Sequence, residues 1–242
     1  MEKLQPQFVS LGESAMILQW GNFIDRSINM KVNAMANALR KKPFAGMVDL
    51  VPAYCSLTVF YNVPVIKRSL HTCDSITSHI QQHIEKLIQH ENIFDEKNKS
   101  VIEIPVCYDA SLSNDLDDMS VLTRLQVDEI INIHSNAAYY VYMLGFLPGF
   151  AYMGEVDERI AVDRKSKPVN VSAGAVGIAG KQTGIYPVDS PGGWQIVGYT
   201  PIKMFDPQAA TLCLVNAGDK VKFIPINVEE YHGLKTNKQH ER

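Results

Sequence analysis

The residues whose types could do chemistry crowd into one stretch of the chain. Gly145-Phe146-Leu147-Pro148-Gly149-Phe150-Ala151-Tyr152 is a glycine- and aromatic-rich turn. Gly180-Lys181-Gln182-Thr183-Gly184-Ile185-Tyr186-Pro187 and Ser190-Pro191-Gly192-Gly193-Trp194-Gln195 follow at close intervals. Glycine lets backbone approach a ligand, while Tyr and Trp supply flat walls with a polar tip. Lys181, Gln182, Gln195 and Arg164 can act as fixed donors to a carboxylate, an amide or a phosphate. Polar donors clustered with aromatics predict a pocket; the competing reading is a set of tight barrel turns around a buried tryptophan.

Other constellations fail on spacing. His79 and His83 stand one helical turn apart, which can hold a metal, but isoleucine follows the first histidine where a zincin needs its glutamate. They read as structural or surface histidines, and no metal site is expected. Gly174 to Thr183 superficially resembles a nucleotide loop. Ala175 occupies the first glycine position and Gln182 follows Lys181 where Ser or Thr is needed, so a Walker loop is rejected. There is no Gly-x-Ser-x-Gly elbow and no local thiol-protease signature. Cys55, Cys73, Cys107 and Cys213 are widely spaced, with no Cys-x-x-Cys pair.

The elements that must position these residues fall into two textures. Over residues 1–97, Phe8 to Leu11 and Ala15 to Trp20 read as strands. Ile24, Ile28, Val32, Met35 and Leu39 then mark one face of a helix that Pro43 stops. Met47 to Val51 and Ser56 to Tyr61 read as strands around Pro52. Asp74 or Ser75 can cap a second helix with Ile76, Ile80, Ile84 and Leu87 on its apolar face. With a last strand ending in Val101 to Val106, this order is that of a ferredoxin-like α+β sandwich. The polar segment His90 to Ser100 reads as a linker. From residue 98 to 232, and most plainly from Tyr139 onward, short apolar runs punctuated by glycine and proline predict a mainly-β barrel or sandwich. One helix within it carries Val127, Ile130, Ile131 and His134. Residues 233–242 read as a polar, flexible tail.

Composition bounds the rest. The chain has 242 residues, a formal net charge of -3, 46% hydrophobic and 20% charged residues. That is ordinary for a globular protein and gives no basic field for nucleic acid. No apolar run approaches a membrane span and no signal-peptide core is visible, so the expectation is a reduced, cytoplasmic protein.

At Gly145 to Tyr152, Gly177 to Pro187 and Ser190 to Pro201 the sequence resembles the family that unites the B-type subunits of 5-oxoprolinase, allophanate hydrolase subunit 1 and KipI. The likeness extends to Pro105-Val-Cys-Tyr108, Ile133-His-Ser135, Tyr140-Val-Tyr-Met143, Ala217-Gly-Asp219 and Val221-Lys-Phe223. The family's two Pro-Arg pairs are replaced by Val162-Asp163-Arg164 and Lys167-Pro168 here. The resemblance implies a cyclophilin-like barrel behind the small α+β domain. It also implies assembly with an A-type subunit of different fold and with a homologous, carboxyltransferase-like C-type subunit. Together they would carry out ATP-dependent opening of 5-oxo-L-proline to L-glutamate. ATP would be a co-substrate of the complex, and the chain alone is expected to be inactive. In that setting Gln182, Lys181 and Tyr186 are expected to face the reacting group. Arg164, Trp194, Phe150, Gln195 and Ser190 would bind the substrate. The alternatives are a KipI-like inhibitor of a sensor histidine kinase and an allophanate or urea-amide hydrolase subunit.

Overall fold

The computed structural model describes residues 5–69, 75–90, 101–112 and 115–237, and the chain divides into two units at Asn98/Lys99. The expected linker lies outside the described residues except for His90, which ends a helix, as do Cys73 and Asp74.

The first unit holds β1 (Gln7–Ser10), β2 (Ala15–Gln19), α1 (Arg26–Lys41), β3 (Met47–Pro52), β4 (Ser56–Tyr61), α2 (Val63–Ser69) and α3 (Ile76–His90). α1 begins where Asp25 accepts the Ile28 N–H at 3.0 Å, which satisfies one of the first-turn donors. It ends in Arg40 and Lys41, favourably placed against the dipole, just before Pro43. Ser75 caps α3 by accepting the Ser78 N–H at 3.1 Å. The four strands pair antiparallel in the order β1-β2-β4-β3. Alternate residues Met16, Leu18, Leu57 and Val59 meet Ile28, Val32, Met35, Leu39, Ile80 and Ile84 from the helices in one core. The expected sixth element does not complete this sheet. Val101 to Val106 belongs to the barrel of the second unit, and β1 takes the fourth place beside β2. His83 Nε2 lies 3.0 Å from the Lys42 carbonyl, a structural contact.

The second unit holds β5 (Val101–Cys107), α4 (Leu116–Thr123), α5 (Val127–Asn136), β6 (Ala138–Leu144), β7 (Ala151–Gly154), β8 (Val169–Val171), β9 (Ala175–Ala179), β10 (Gln182–Ile185), β11 (Ser190–Gly192), β12 (Gln195–Tyr199), β13 (Lys220–Ile226) and α6 (Val228–Asn237). Seven strands close a barrel in the order β10-β7-β6-β13-β5-β12-β9, and β8 pairs with β11 outside it. β5 and β13 run parallel along their whole lengths, while the other ring neighbours are antiparallel. Alternate residues point inward: Ile104 and Val106, Tyr139 and Val141, Ala151 and Met153, Val176 and Ile178, Val221 and Phe223. Ile130 of α5, with Leu116 and Met119 of α4, packs into the same core. The tail expected from Gly233 is helical through Asn237 as the end of α6.

Candidate functional site

The segment that resembles a nucleotide loop folds as a β-hairpin. β9 and β10 are joined by Gly180 and Lys181, with Ala179 opposite Gln182 and Gly177 opposite Gly184. A Cβ at Gly184 would stand 2.8 Å from the Ala151 carbonyl oxygen and 3.1 Å from both the Phe150 and Trp194 rings; one at Gly177 would stand 3.0 Å from Trp194 Cβ. The two bare glycines therefore make the floor on which Trp194 and Phe150 lie against the outside of the barrel.

On that floor the aromatics pack edge to face. Phe150 meets Trp194 at 5.4 Å, Tyr186 at 5.2 Å and Tyr152 at 4.8 Å between ring centroids. Phe150, Tyr186 and Trp194 are buried, in a cluster with Val171, Ala175, Ala179 and Ile196. Burial pushes the Tyr186 phenol up, and its oxygen takes the Trp194 backbone N–H. The three residues expected as pocket walls or reacting groups are thus the interior of a second small core. Arg164 remains exposed, its guanidinium 5.9 Å above the Trp194 ring.

Nor does the hairpin gather the expected catalytic trio. Lys181 projects at the turn, exposed and ion-paired with Glu158, whose hydrogen bond raises its pKa. Gln182 opens β10, half-buried, and by alternation shares an outward face with Gly184 and Tyr186. Tyr186 lies beyond the other end of the strand, about 16 Å of extended chain from Lys181 at roughly 3.3 Å per residue. Ser190 stands in β11 opposite Val171, its Oγ buried without a hydrogen-bond partner.

A buried histidine instead ties the hairpin to the core. His134 of α5 stacks on Phe223 at 4.8 Å. Its Nε2 lies 3.0 Å from Thr183 Oγ1, and its Nδ1 lies 2.8 Å from the Tyr108 hydroxyl. Thr183 donates its hydroxyl proton to the Gly177 carbonyl at 3.0 Å, so it must accept from Nε2–H. The ring is therefore the neutral Nε2–H tautomer, with Nδ1 accepting from Tyr108. Burial lowers the His134 pKa to about 3 and raises the Tyr108 phenol well above its usual range. The sequence signal was present in Ile133-His-Ser135 but carried no role.

An open recess of this unit lies elsewhere. A cleft of about 510 Å³ is lined by Asp115, Asp118, Val121, Leu122, Lys165, Ser166 and Gln195. Lys165 Nζ stands 2.7 Å from Asp115 Oδ2, with side-chain exposures of 22% and 8%. The same Asp115 oxygen accepts the Ile196 N–H at 2.6 Å. Gln195 donates to the Asp163 carbonyl at 3.1 Å. Of the residues nominated from sequence, only Gln195 lines this cleft. Asp115 and Lys165 were missed because nothing local marks them. Among the described residues no group of three or more His, Cys, Asp or Glu side chains could hold a metal ion, and no helix is long and apolar enough to cross a membrane.

The family model of the carboxyltransferase domain, subdomains C and D, matches residues 6–215. The chain is 41% identical to the B-type subunit of 5-oxoprolinase from Bacillus subtilis (strain 168) over 231 residues, 95% of this chain and 96% of the relative. It is 43% identical to the B-type subunit of 5-oxoprolinase from Haemophilus influenzae over 204 residues, 84% of this chain and 91% of the relative. Among solved structures, the crystal structure of TTHA0988 superposes with a TM-score of 0.76 at 32% identity, over 88% of this chain. This chain spans only 40% of that longer one.

Proposed function

The chain belongs to the carboxyltransferase-domain family of subdomains C and D, among the B-type subunits of 5-oxoprolinase, and from that premise we propose that it is the B-type subunit of an ATP-dependent 5-oxoprolinase. The observation that carries this reading is the match to relatives of that name over nearly the full length of both chains. It favours 5-oxo-L-proline over allophanate or urea, and a hydrolase subunit over a kinase inhibitor. The complex works in the cytoplasm and converts 5-oxo-L-proline to L-glutamate. Its other members are an A-type subunit of different fold and a homologous, carboxyltransferase-like C-type subunit.

The chemistry explains the need for ATP. An unstrained lactam is a poor electrophile. Phosphorylation of its amide oxygen makes the carbon electrophilic: water adds, the C–N bond breaks as the nitrogen takes a proton, and the acyl phosphate left behind is hydrolysed to the carboxylate and phosphate. Donors aimed at the charge that develops lower the barrier. Of the residues nominated from sequence, the exposed Arg164 and half-buried Gln182 stay candidates for such contacts, and Gln195 lines the cleft beside Lys165. Phe150, Tyr186 and Trp194 are packed as core with Arg164 above the Trp194 ring, and Lys181, ion-paired with Glu158 at the exposed turn, is not assigned a catalytic role here.

Co-expression with the two cognate partner chains, followed by assay of glutamate release from 5-oxo-L-proline, tests the reading. Turnover that requires ATP and all three chains is expected. A purified three-chain complex that hydrolyses allophanate and leaves 5-oxo-L-proline untouched would overturn it.

A further inference from the structure

The cleft beside α4 has what the aromatic cluster lacks: charged and polar groups fixed in place yet open to solvent. Asp115 occupies the N-cap position of α4, but its side chain makes no cap hydrogen bond. An aspartate there ordinarily accepts an N–H from its own first turn. This carboxylate instead takes the Ile196 N–H of β12 at 2.6 Å and the Lys165 ammonium at 2.7 Å. Lys165 is thereby held at the cleft by a buried group that is itself pinned to the barrel. An ammonium has three donors, and Asp115 uses one. Gln195, fixed by its bond to Asp163, and Ser166 share the lining with the apolar side chains of Val121 and Leu122, which are 79% and 62% exposed.

We infer that this cleft receives the lactam group of the substrate, with Lys165 donating to the amide oxygen, Gln195 or Ser166 taking the amide N–H, and Asp115 as the positioning residue. The inference rests on the proposed activity for the identity of the amide. Charge decides which end of the molecule enters. Among the described lining residues Asp115 and Asp118 are acidic and the Lys165 charge is paired with Asp115, so a free carboxylate entering first is disfavoured. A neutral amide carbonyl accepts an ammonium hydrogen bond without that penalty. Ring methylenes find apolar surface on Val121 and Leu122. The carboxylate of 5-oxo-L-proline stays at the mouth. Once the amide oxygen carries the phosphoryl group, the same preorganised ammonium faces the added negative charge and strengthens its hold.

The test uses the assembled three-chain complex. Lys165 acetylation by acetic anhydride is followed by mass spectrometry with 5-oxo-L-proline, with 2-pyrrolidinone, which lacks the carboxylate, and with L-proline, which lacks the amide. Both lactams should slow Lys165 labelling about fivefold or more at saturation, and L-proline should not, with Lys181 labelled equally throughout. Lys165→Met should lower kcat/KM for 5-oxo-L-proline at least ~100-fold, and Lys165→Arg should recover part of it. Asp115→Asn should cost far less in the Lys165→Met background than alone, whereas a purely structural Asp115 gives additive losses. Unprotected Lys165 at saturating lactam, or a Lys165→Met complex that turns over like the wild type, overturns the inference. A wild-type complex inactive on 5-oxo-L-proline whose Lys165 is still shielded by 2-pyrrolidinone leaves this site standing and removes the proposed activity instead.

Discussion

Thr183 Oγ1 lies 3.0 Å from His134 Nε2 and 3.0 Å from the Gly177 carbonyl, so one hydroxyl links the histidine of α5 to both strands of the β9–β10 hairpin. The geometry requires a neutral imidazole, since a protonated Nδ1 would face the Tyr108 hydroxyl as a second donor and lose an acceptor.

A pH dependence follows with a definite sign. The folded-state pKa of His134 is depressed to about 3 from 6.5, so between those values the unfolded chain binds the extra proton. Stability from this group is fully present above about pH 6.5 and falls as the pH drops towards about 3, at roughly 1.4 kcal/mol per unit within that window. Urea denaturation of the wild type and His134→Gln at pH 6 and pH 4.5 should show the larger acid loss in the wild type. Equal losses would rule out a buried neutral imidazole.

The aromatic cluster should behave as core. Trp194→Ala is expected to cost about 3–5 kcal/mol, while Arg164→Ala, on the exposed side of the same ring, should stay within about 0.5 kcal/mol. Chemical denaturation of the chain checks both. A mild Trp194→Ala would mean the cluster is not tightly packed.

The glycine floor can be tested separately. Gly184→Ala brings a methyl within 2.8 Å of a backbone oxygen, which cannot rotate away. A loss of about 1–3 kcal/mol by thermal melting is expected, typical of overpacking. Gly180 has no atom within 4 Å of its would-be Cβ and instead carries φ +56, so Gly180→Asn should be tolerated far better than Gly180→Val.

Lys181→Ala removes a solvent-exposed ion pair with Glu158. Stability should barely change, and any difference should shrink further at high salt. Turnover of the reconstituted complex should stay within a small factor of wild type. A drop of two orders of magnitude would return Lys181 to the catalytic set.

In the small domain, Asp25→Ala should cost about 1 kcal/mol through loss of the α1 cap. The Ser27 hydroxyl, then the Ile28 N–H, hold the Asp25 carboxyl below its usual range, so this stability is present above the ordinary carboxylate pKa and fades as the pH falls through the lowered one. Melting curves at pH 7 and pH 3 should show the mutational cost shrinking at the lower pH.

Much of the architecture was legible in the sequence because periodicity reports faces directly. Ile28, Val32, Met35 and Leu39 gave α1, and the glycine-punctuated runs gave the barrel strands. The assignment of Val101 to Val106 failed because a strand pattern specifies a buried face and not a partner. That partner, β13, lies at the other end of the unit. α4 was missed because its eight residues carry only a weak apolar stripe. Within the nominated stretch, residue type did not separate packed aromatics from exposed ones. Trp194 and Tyr186 are buried on the outer face of the barrel because Gly177, Gly184 and Gly192 leave room for their rings. Asp115 and Lys165 are brought together only by the closed ring, so no local motif could announce them.

The parallel union of β5 with β13 carries a consequence for biogenesis. The first and last strands of the ring are neighbours, and β13 also bridges to β6. A nascent chain therefore cannot shut the ring until Lys220–Ile226 has left the ribosome. Until then β5 and β6 each present an unpaired edge, the kind of surface on which other chains add. Truncation before Lys220 should leave this unit an open, chaperone-dependent sheet, whatever the length of the rest.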